Sequence, residues 1–148
     1  MVNELRPLTG ADLPALLQLD QQLFLEPWSA DAFQRALDTE RYLALGVFAG
    51  ARLVGYLVGS AVADEGELLQ IGVTPESRRQ GIAAVLLAEF RRWLSQRRVA
   101  AVFLEVRASA RGAIAFYGQA GFTQIGRRKD YYLSSAGRED ALLFSLTL

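Results

Sequence analysis

The chain has 148 residues, 51% of them hydrophobic, and its 16 basic and 16 acidic side chains cancel; it contains neither cysteine nor histidine. That length fits one domain, spanning residues 1–148, able to bury roughly 70% of its unfolded surface, and the balanced charge gives no general attraction to nucleic acid or an anionic membrane. The missing residue types exclude disulfides, a thiolate nucleophile, a Ser-His triad and the usual zinc sites. Any proton chemistry therefore falls to carboxylates, tyrosines, the lone Lys129, the terminal amine or water.

Taken in order, Val2 to Pro7 reads as a short strand. Thr9 follows as a helix N-cap with Asp12 three residues on, and Leu13, Leu16, Leu17 and Phe24 form a helical stripe interrupted by one polar residue, Asp20. Pro27-Trp28-Ser29 breaks that helix, and Ser29 caps a second one buried through Phe33, Ala36 and Leu37. Leu43 to Phe48 and Arg52 to Val62 predict a hairpin around Ala49-Gly50-Ala51. Asp64-Glu65-Gly66 turns the chain into a strand from Glu67 to Val73, and two-residue alternation places Glu67, Leu69, Ile71 and Val73 on one face. A helix from Ile82 turns Val85, Leu86, Phe90 and Trp93 inward and ends in Arg97-Arg98, which suits a helix carboxyl end. Val99 to Val106 is a strand, Ala110 to Ala120 a helix closed by Gly121, and Phe122 to Gly126 opens another strand. The polar run Arg127 to Asp140 separates it from a last strand, Ala141 to Leu148. The start of the chain, with Glu4, Arg6 and Asp12, predicts no secretory leader, and the uncharged stretch Leu53 to Ala63 is too short to span a bilayer. A soluble, cytoplasmic α/β protein is the expectation, its sheet largely antiparallel except where a helical crossover joins Leu68–Val73 to Val99–Val106 in parallel.

Arg78-Arg79-Gln80-Gly81-Ile82-Ala83 joins an apolar strand to an apolar-periodic helix. Backbone N–H groups in such a loop, with the positive end of the helix dipole, form an anion cradle that Gly81 leaves open. The hexapeptide alone more often marks nothing beyond an arginine-rich turn capped by a flexible glycine. With it stand Leu104-Glu105-Val106-Arg107-Ala108-Ser109, Ala113-Ile114-Ala115-Phe116-Tyr117 and Gly121-Phe122, and this set, over nearly the whole chain, resembles the GNAT acyltransferases. Pro27-Trp28-Ser29, the strand containing Glu105, Tyr131-Tyr132 and Gly137-Arg138-Glu139-Asp140-Ala141 are similar to the bacterial ribosomal-protein-alanine N-acetyltransferases, the RimI type.

The resemblance implies a mixed, mostly antiparallel sheet of about six or seven strands with two splayed parallel strands at its centre, flanked by about four helices. It implies acetyl-CoA as co-substrate and no metal. Ile71, Gly72 and Val73 would lie along the pantetheine arm, the Val73 N–H would polarise the thioester carbonyl, and Arg78, Arg79, Gln80, Gly81, Ile82 and Ala83 would hold the pyrophosphate. It makes Glu105 the base, Tyr117 the acid that protonates the departing thiolate, and Trp28, Tyr131 and Tyr132 walls of an acceptor groove. Glu67 is the rival base and a groove residue, because other enzymes of the fold use a carboxylate on that strand. The implied acceptor is the N-terminal alanine of the eighteenth small-subunit ribosomal protein, and Asp64, Glu65 and Glu67 would draw in a basic peptide. A small-molecule amine, a lysine side chain or an inactive acyl-CoA-binding role remain alternatives. Ala110 departs from the family, which has an asparagine there that contacts the cofactor.

Overall fold

Apolar residues at two-residue spacing build one seven-stranded sheet in the order β1-β2-β3-β4-β5-β7-β6. The structure, a computed structural model, describes residues 3–148, so Val2 lies outside it. The strands are β1 (Glu4–Pro7), β2 (Tyr42–Ala49), β3 (Arg52–Val62), β4 (Glu65–Val73), β5 (Ala101–Arg107), β6 (Thr123–Ser134) and β7 (Gly137–Thr147). The helices are α1 (Leu13–Leu23), α2 (Ala30–Asp38), α3 (Ile82–Gln96) and α4 (Arg111–Gln119). Every neighbouring pair is antiparallel except β4 and β5, which the α3 crossover makes parallel. That pair is short: Glu65–Ala101, Gly66–Val102 and Glu67–Phe103 are aligned, and among the described residues no further ladder pair joins the two strands.

Each face of the sheet has its own core. Leu86, Phe90 and Leu94 of α3 pack on Leu57, Val102, Leu104 and Phe144 on one side; Leu16 and Leu19 of α1 and Phe33 of α2 pack on Tyr56 and Val58 on the other. Each such side chain contributes about 1.5–3 kcal/mol by leaving water. Val85 differs from expectation: it is exposed, and Leu87 and Leu94 take inward positions, so the buried stripe of α3 is Ile82, Leu86, Leu87, Phe90 and Leu94. Trp93 is only partly buried, with the Arg97 guanidinium 3.9 Å above its ring. The turn after β3 also tightens. Ala63 takes a left-handed φ of 54°, so Glu65 and Gly66 already belong to β4.

The polar run Arg127–Asp140 is not a loop. It forms the second half of β6 and the first residues of β7, a hairpin paired as far as Ser134–Gly137. β6 is the sheet edge, where charged side chains point into water on both faces, and ion pairs replace apolar burial as the pairing signal: Arg127 binds Asp140 at 2.6 Å. A register shift between Arg128 and Tyr132, with Asp130 at φ 52° and its N–H on Asp140 Oδ1 at 3.0 Å, bends this edge.

Asp20, the polar interruption in the stripe of α1, is fully buried. Its Oδ1 accepts from the Tyr56 hydroxyl at 2.5 Å and the Gln70 amide at 2.8 Å, and its Oδ2 accepts from the Trp28 backbone N–H at 2.8 Å. Three donors satisfy the buried charge, and burial beside it pushes the Tyr56 hydroxyl far above its ordinary range. One side chain thus joins α1, the α1–α2 loop, β3 and β4. Replacing Asp20 with alanine leaves those donors without their acceptor and should lower unfolding free energy by about 3 kcal/mol, read by urea denaturation.

Candidate active site

β4 does not keep its alternation. Val58 faces Gln70 and Gly59 faces Leu68, which leaves Leu69 as an extra residue on β4, a β-bulge. Ahead of the bulge, Glu67 points to the α1–α2 side, since a β-carbon on Gly66 would meet Leu94 of α3 on the other. Leu69 and Gln70 both lie on the α1–α2 side, whereas Ile71 and Val73 pack with the α3 cluster. The single face expected for Glu67, Leu69, Ile71 and Val73 is therefore split in two. Gly72 lies against α1: a β-carbon there would fall 2.7 Å from Leu23 Cδ1 and 2.9 Å from the Tyr56 ring, so only glycine lets the helix approach this closely.

Beyond Glu67 the edge of β4 that faces β5 is unpaired. The Thr74 N–H bonds back to the Val54 carbonyl at 2.9 Å, so alternation turns the N–H groups of Ile71 and Val73 away from β3 and into the opening. The opening leads to the Arg78–Ala83 loop. Arg79 at φ 64° and Gly81 at φ 76° are both left-handed, and from Arg79 to Ala83 no backbone N–H has an acceptor among the described residues. Those donors, together with the start of α3, make the loop a nest for an anion. A β-carbon on Gly81 would meet nothing within 4 Å, so this glycine supplies the left-handed turn and an open approach, not internal packing space. Between α3 and α4 runs a cavity of about 250 Å³, lined by Ala84, Leu87, Ala88, Phe116 and Ala120 with Arg91 and Gln119 at its polar edge.

The α1–α2 side of the opening holds the chemistry. Val102, Leu104 and Val106 belong to the α3-side core, so Glu105 and Arg107 point the other way, beside Glu67. Glu67 keeps an exposed surface, yet its carboxyl is raised above the usual carboxylate range, first by partial desolvation and then by the negative charges of Glu105 and Glu65. Glu105 instead has a cation: Arg128 Nε stands 3.0 Å from its Oε1. Tyr131 and Tyr132 meet edge-on at 4.9 Å beside Glu105. The Glu105 charge raises Tyr131, while burial first and then Glu105 push Tyr132 up to about 12.

Arg107 closes the site. Its guanidinium lies 3.0 Å from Glu139, 3.6 Å from Glu26 and 4.6 Å from the Tyr132 ring centre, and it donates to the Leu133 carbonyl. Glu26 in turn accepts from the Leu133 N–H at 2.7 Å, which joins the α1–α2 loop to the β6–β7 hairpin. Trp28 hangs from Asp20 by its N–H, and its ring packs on Phe33 at 5.1 Å. Tyr117 is buried among Phe116 and Phe122, with Tyr132 as its electrostatic neighbour, and burial raises its hydroxyl well above the ordinary range. The structure thus gathers Glu67, Glu105, Tyr131 and Tyr132 into one slot, brings Tyr117 up to Tyr132, and leaves the Trp28 ring on the α2 core. Sequence reading missed Asp20, Gln70, Arg107, Arg128 and Glu26 as parts of the site. Only Asp20 carried a local signal, a charge within an apolar stripe. No cluster of three or more metal-ligating side chains exists among the described residues.

Residues 13–122 match the family model described as Acetyltransferase (GNAT) family. The chain is 35% identical over 147 residues, 99% of each chain, to the [Ribosomal protein bS18]-alanine N-acetyltransferase of Escherichia coli K12. It is 37% identical over 131 residues, covering 84% of this chain and 81% of the relative, to N-alpha-acetyltransferase RimI of Mycobacterium tuberculosis. The crystal structure of the ribosomal-protein-S18-alanine N-acetyltransferase from Escherichia coli superposes with a TM-score of 0.91 at 36% identity, over 99% of this chain and 94% of that one. Arabidopsis thaliana NAA60 in complex with acetyl-CoA shares the fold, with a TM-score of 0.90 at 21% identity over 99% of both chains.

The raised carboxyl of Glu67 has a cost in stability. Because its folded value lies above its unfolded one, the folded state bears the full cost once both states are ionised, and the cost fades as pH falls through the folded value. Glu67→Gln should therefore raise the urea midpoint at pH 7, with the gain shrinking as pH falls into the carboxylate range.

Proposed function

We propose that this chain, which belongs to the Acetyltransferase (GNAT) family, transfers the acetyl group of acetyl-CoA directly to the α-amine of an N-terminal alanine, that of ribosomal protein bS18. The observation that carries the reading is the end-to-end relationship to bacterial alanine N-acetyltransferases, at 35% identity over 99% of both chains. Two features of the site support it. The opening between β4 and β5 joins an anion-binding loop on one side to a pair of carboxylates on the other, and the carboxylate side is acidic, as a cationic chain end requires.

Acetyl-CoA supplies an acyl group activated as a thioester. Arg78 to Ala83 fit its pyrophosphate, with the orphaned N–H groups as donors, and the cavity between α3 and α4 continues from that loop. The inward N–H of Val73 is the donor suited to a carbonyl oxygen that gains negative charge on attack, a contribution worth a few kcal/mol. An acceptor α-amine has a pKa of roughly 7.7–8.0 and arrives largely protonated, so a base is needed. Glu105, in the slot and next to an uncompensated Glu67, takes that proton as the amine is freed to attack. As the C–N bond forms and the C–S bond breaks, the second proton leaves the nitrogen for solvent, and the thiolate takes one up from a donor that regains its own proton from solvent. Tyr117, kept protonated by burial, is the donor to that sulfur. With no cysteine or histidine in the chain, transfer proceeds without an acyl-enzyme on those residues.

The test is acetyl transfer, read by mass spectrometry, to three acceptors: a basic peptide beginning with alanine, the same peptide with a blocked α-amine and an internal lysine, and polyamines. The first should react fastest, and in that assay Glu105→Gln and Tyr117→Phe should each lower turnover by about 10²-fold while acetyl-CoA binding survives. Faster reaction of the lysine or of the polyamines would overturn the chain-end assignment.

A further inference from the structure

The two arginines that reach the slot are held in different ways. Arg107 is nearly enclosed, with Glu139, Glu26, the Leu133 carbonyl and the Tyr132 ring around it. Arg128 makes one ion pair, through Nε to Glu105, and otherwise lies loosely over the Tyr131 ring at 5.7 Å; its side chain is 54% exposed. It stands where β6 departs from regular pairing, next to the left-handed Asp130. A half-exposed monodentate pair of this kind is worth only about 0–1 kcal/mol, so Arg128 can leave Glu105 at little cost, whereas Arg107 cannot leave its site.

The contact is in the way of the reaction. A carboxylate that must receive a proton from an α-ammonium has Oε1 engaged by a guanidinium, so an arriving ammonium meets a charge already partly offset by another cation. Glu105 has Glu67 from β4 and Arg128, Tyr131 and Tyr132 from β6 as its charged and titratable neighbours; Glu65 acts on Glu67, and Arg107, with Glu139 and Glu26 paired to it, lies beside Tyr132. Arg107 already faces two carboxylates of its own. Arg128 is thus the one counter-charge in direct contact with the Glu67–Glu105 pair, and Glu67 itself has no cation among the described residues.

We propose that Arg128 is a positioning residue that competes with the acceptor's α-ammonium for Glu105: it offsets that carboxylate's charge beside Glu67 and gives way when a cationic chain end takes its place. This rests on the reading that the acceptor is an amine. The exchange of one cation for another keeps the charge on Glu105 balanced throughout, and the ammonium later gives its proton to the carboxylate that Arg128 has left. In this role Arg128 raises the acceptor concentration needed for saturation.

The experiment uses the full chain at saturating acetyl-CoA with the alanine-terminated basic peptide, comparing wild type, Arg128→Gln and Arg128→Lys at one pH. Arg128→Gln should lower the acceptor KM by about 3- to 5-fold, the range a pair of this strength allows, with a smaller change in kcat, because Arg128 has already left Glu105 in the saturated complex. Arg128→Lys should restore the acceptor KM toward wild type. Unchanged acetyl-CoA affinity by calorimetry shows that the variants are folded. An acceptor KM that is unchanged or raised in Arg128→Gln overturns the proposal. The reading of the acceptor fails separately, in the wild type alone, if the alanine-terminated peptide is not acetylated.

Discussion

The structure depends on β4 and β5 lying parallel for three residue pairs and then parting. A parallel pair needs a crossover, and here the crossover is α3, whose first turn carries the phosphate-type loop. The parting leaves inward N–H groups on β4 without partners, a state that costs free energy unless something polar comes to meet them. The bulge at Leu69 adds the second element. By resetting the alternation of β4 it turns Glu67 toward α1 and α2 while Ile71 and Val73 pack toward α3, so one strand serves both sides of the opening. Without the extra residue, Glu67 and Val73 would fall on one face.

Around this opening the remaining contacts hold walls in place. Asp20 fastens the α1–α2 loop to β4 one residue past the bulge, through Gln70, and Gly72 lets α1 lie directly on the strand. On the far side, Arg107 and Glu26 tie that loop to the β6–β7 hairpin, whose bend presents Tyr131 and Tyr132 to Glu105. The electrostatics are uneven by construction. Among the described residues Glu67 has no cation and Glu105 is paired, so two nearby carboxylates stand in different electrostatic settings.

Much of this was legible in the sequence, and the failures have physical causes. The order of strands and helices followed from periodicity, and the single parallel pair from the helical crossover; Ser29 caps α2 as its position suggested, accepting from the Ala32 N–H at 3.1 Å. The bulge was not legible, because a one-residue insertion in Glu67–Val73 leaves an apolar run that still alternates on paper. The edge hairpin was missed for a related reason: Arg127 to Asp140 is stabilised by ion pairs to β7 and β5 instead of by an apolar face, and charged residues read as loop. Val85 was misplaced because Leu87 and Leu94, which face the core, compete for the same stripe. Glu67, Glu105, Tyr131 and Tyr132, named from the resemblance, lie together in the structure, whereas contacts between distant positions, such as Arg128 with Glu105 across 23 positions of chain, had no local signal.

The central claim is that one opening in the sheet brings both substrates together and that the acetyl group crosses it in a single step. Initial velocities measured over a grid of acetyl-CoA and alanine-terminated peptide concentrations test this most directly. Transfer within a ternary complex predicts double-reciprocal lines that intersect and no stoichiometric release of CoA before the acceptor is added. Parallel lines, with a burst of one CoA per chain in the absence of acceptor, would mean that the protein itself carries the acetyl group and would contradict the account.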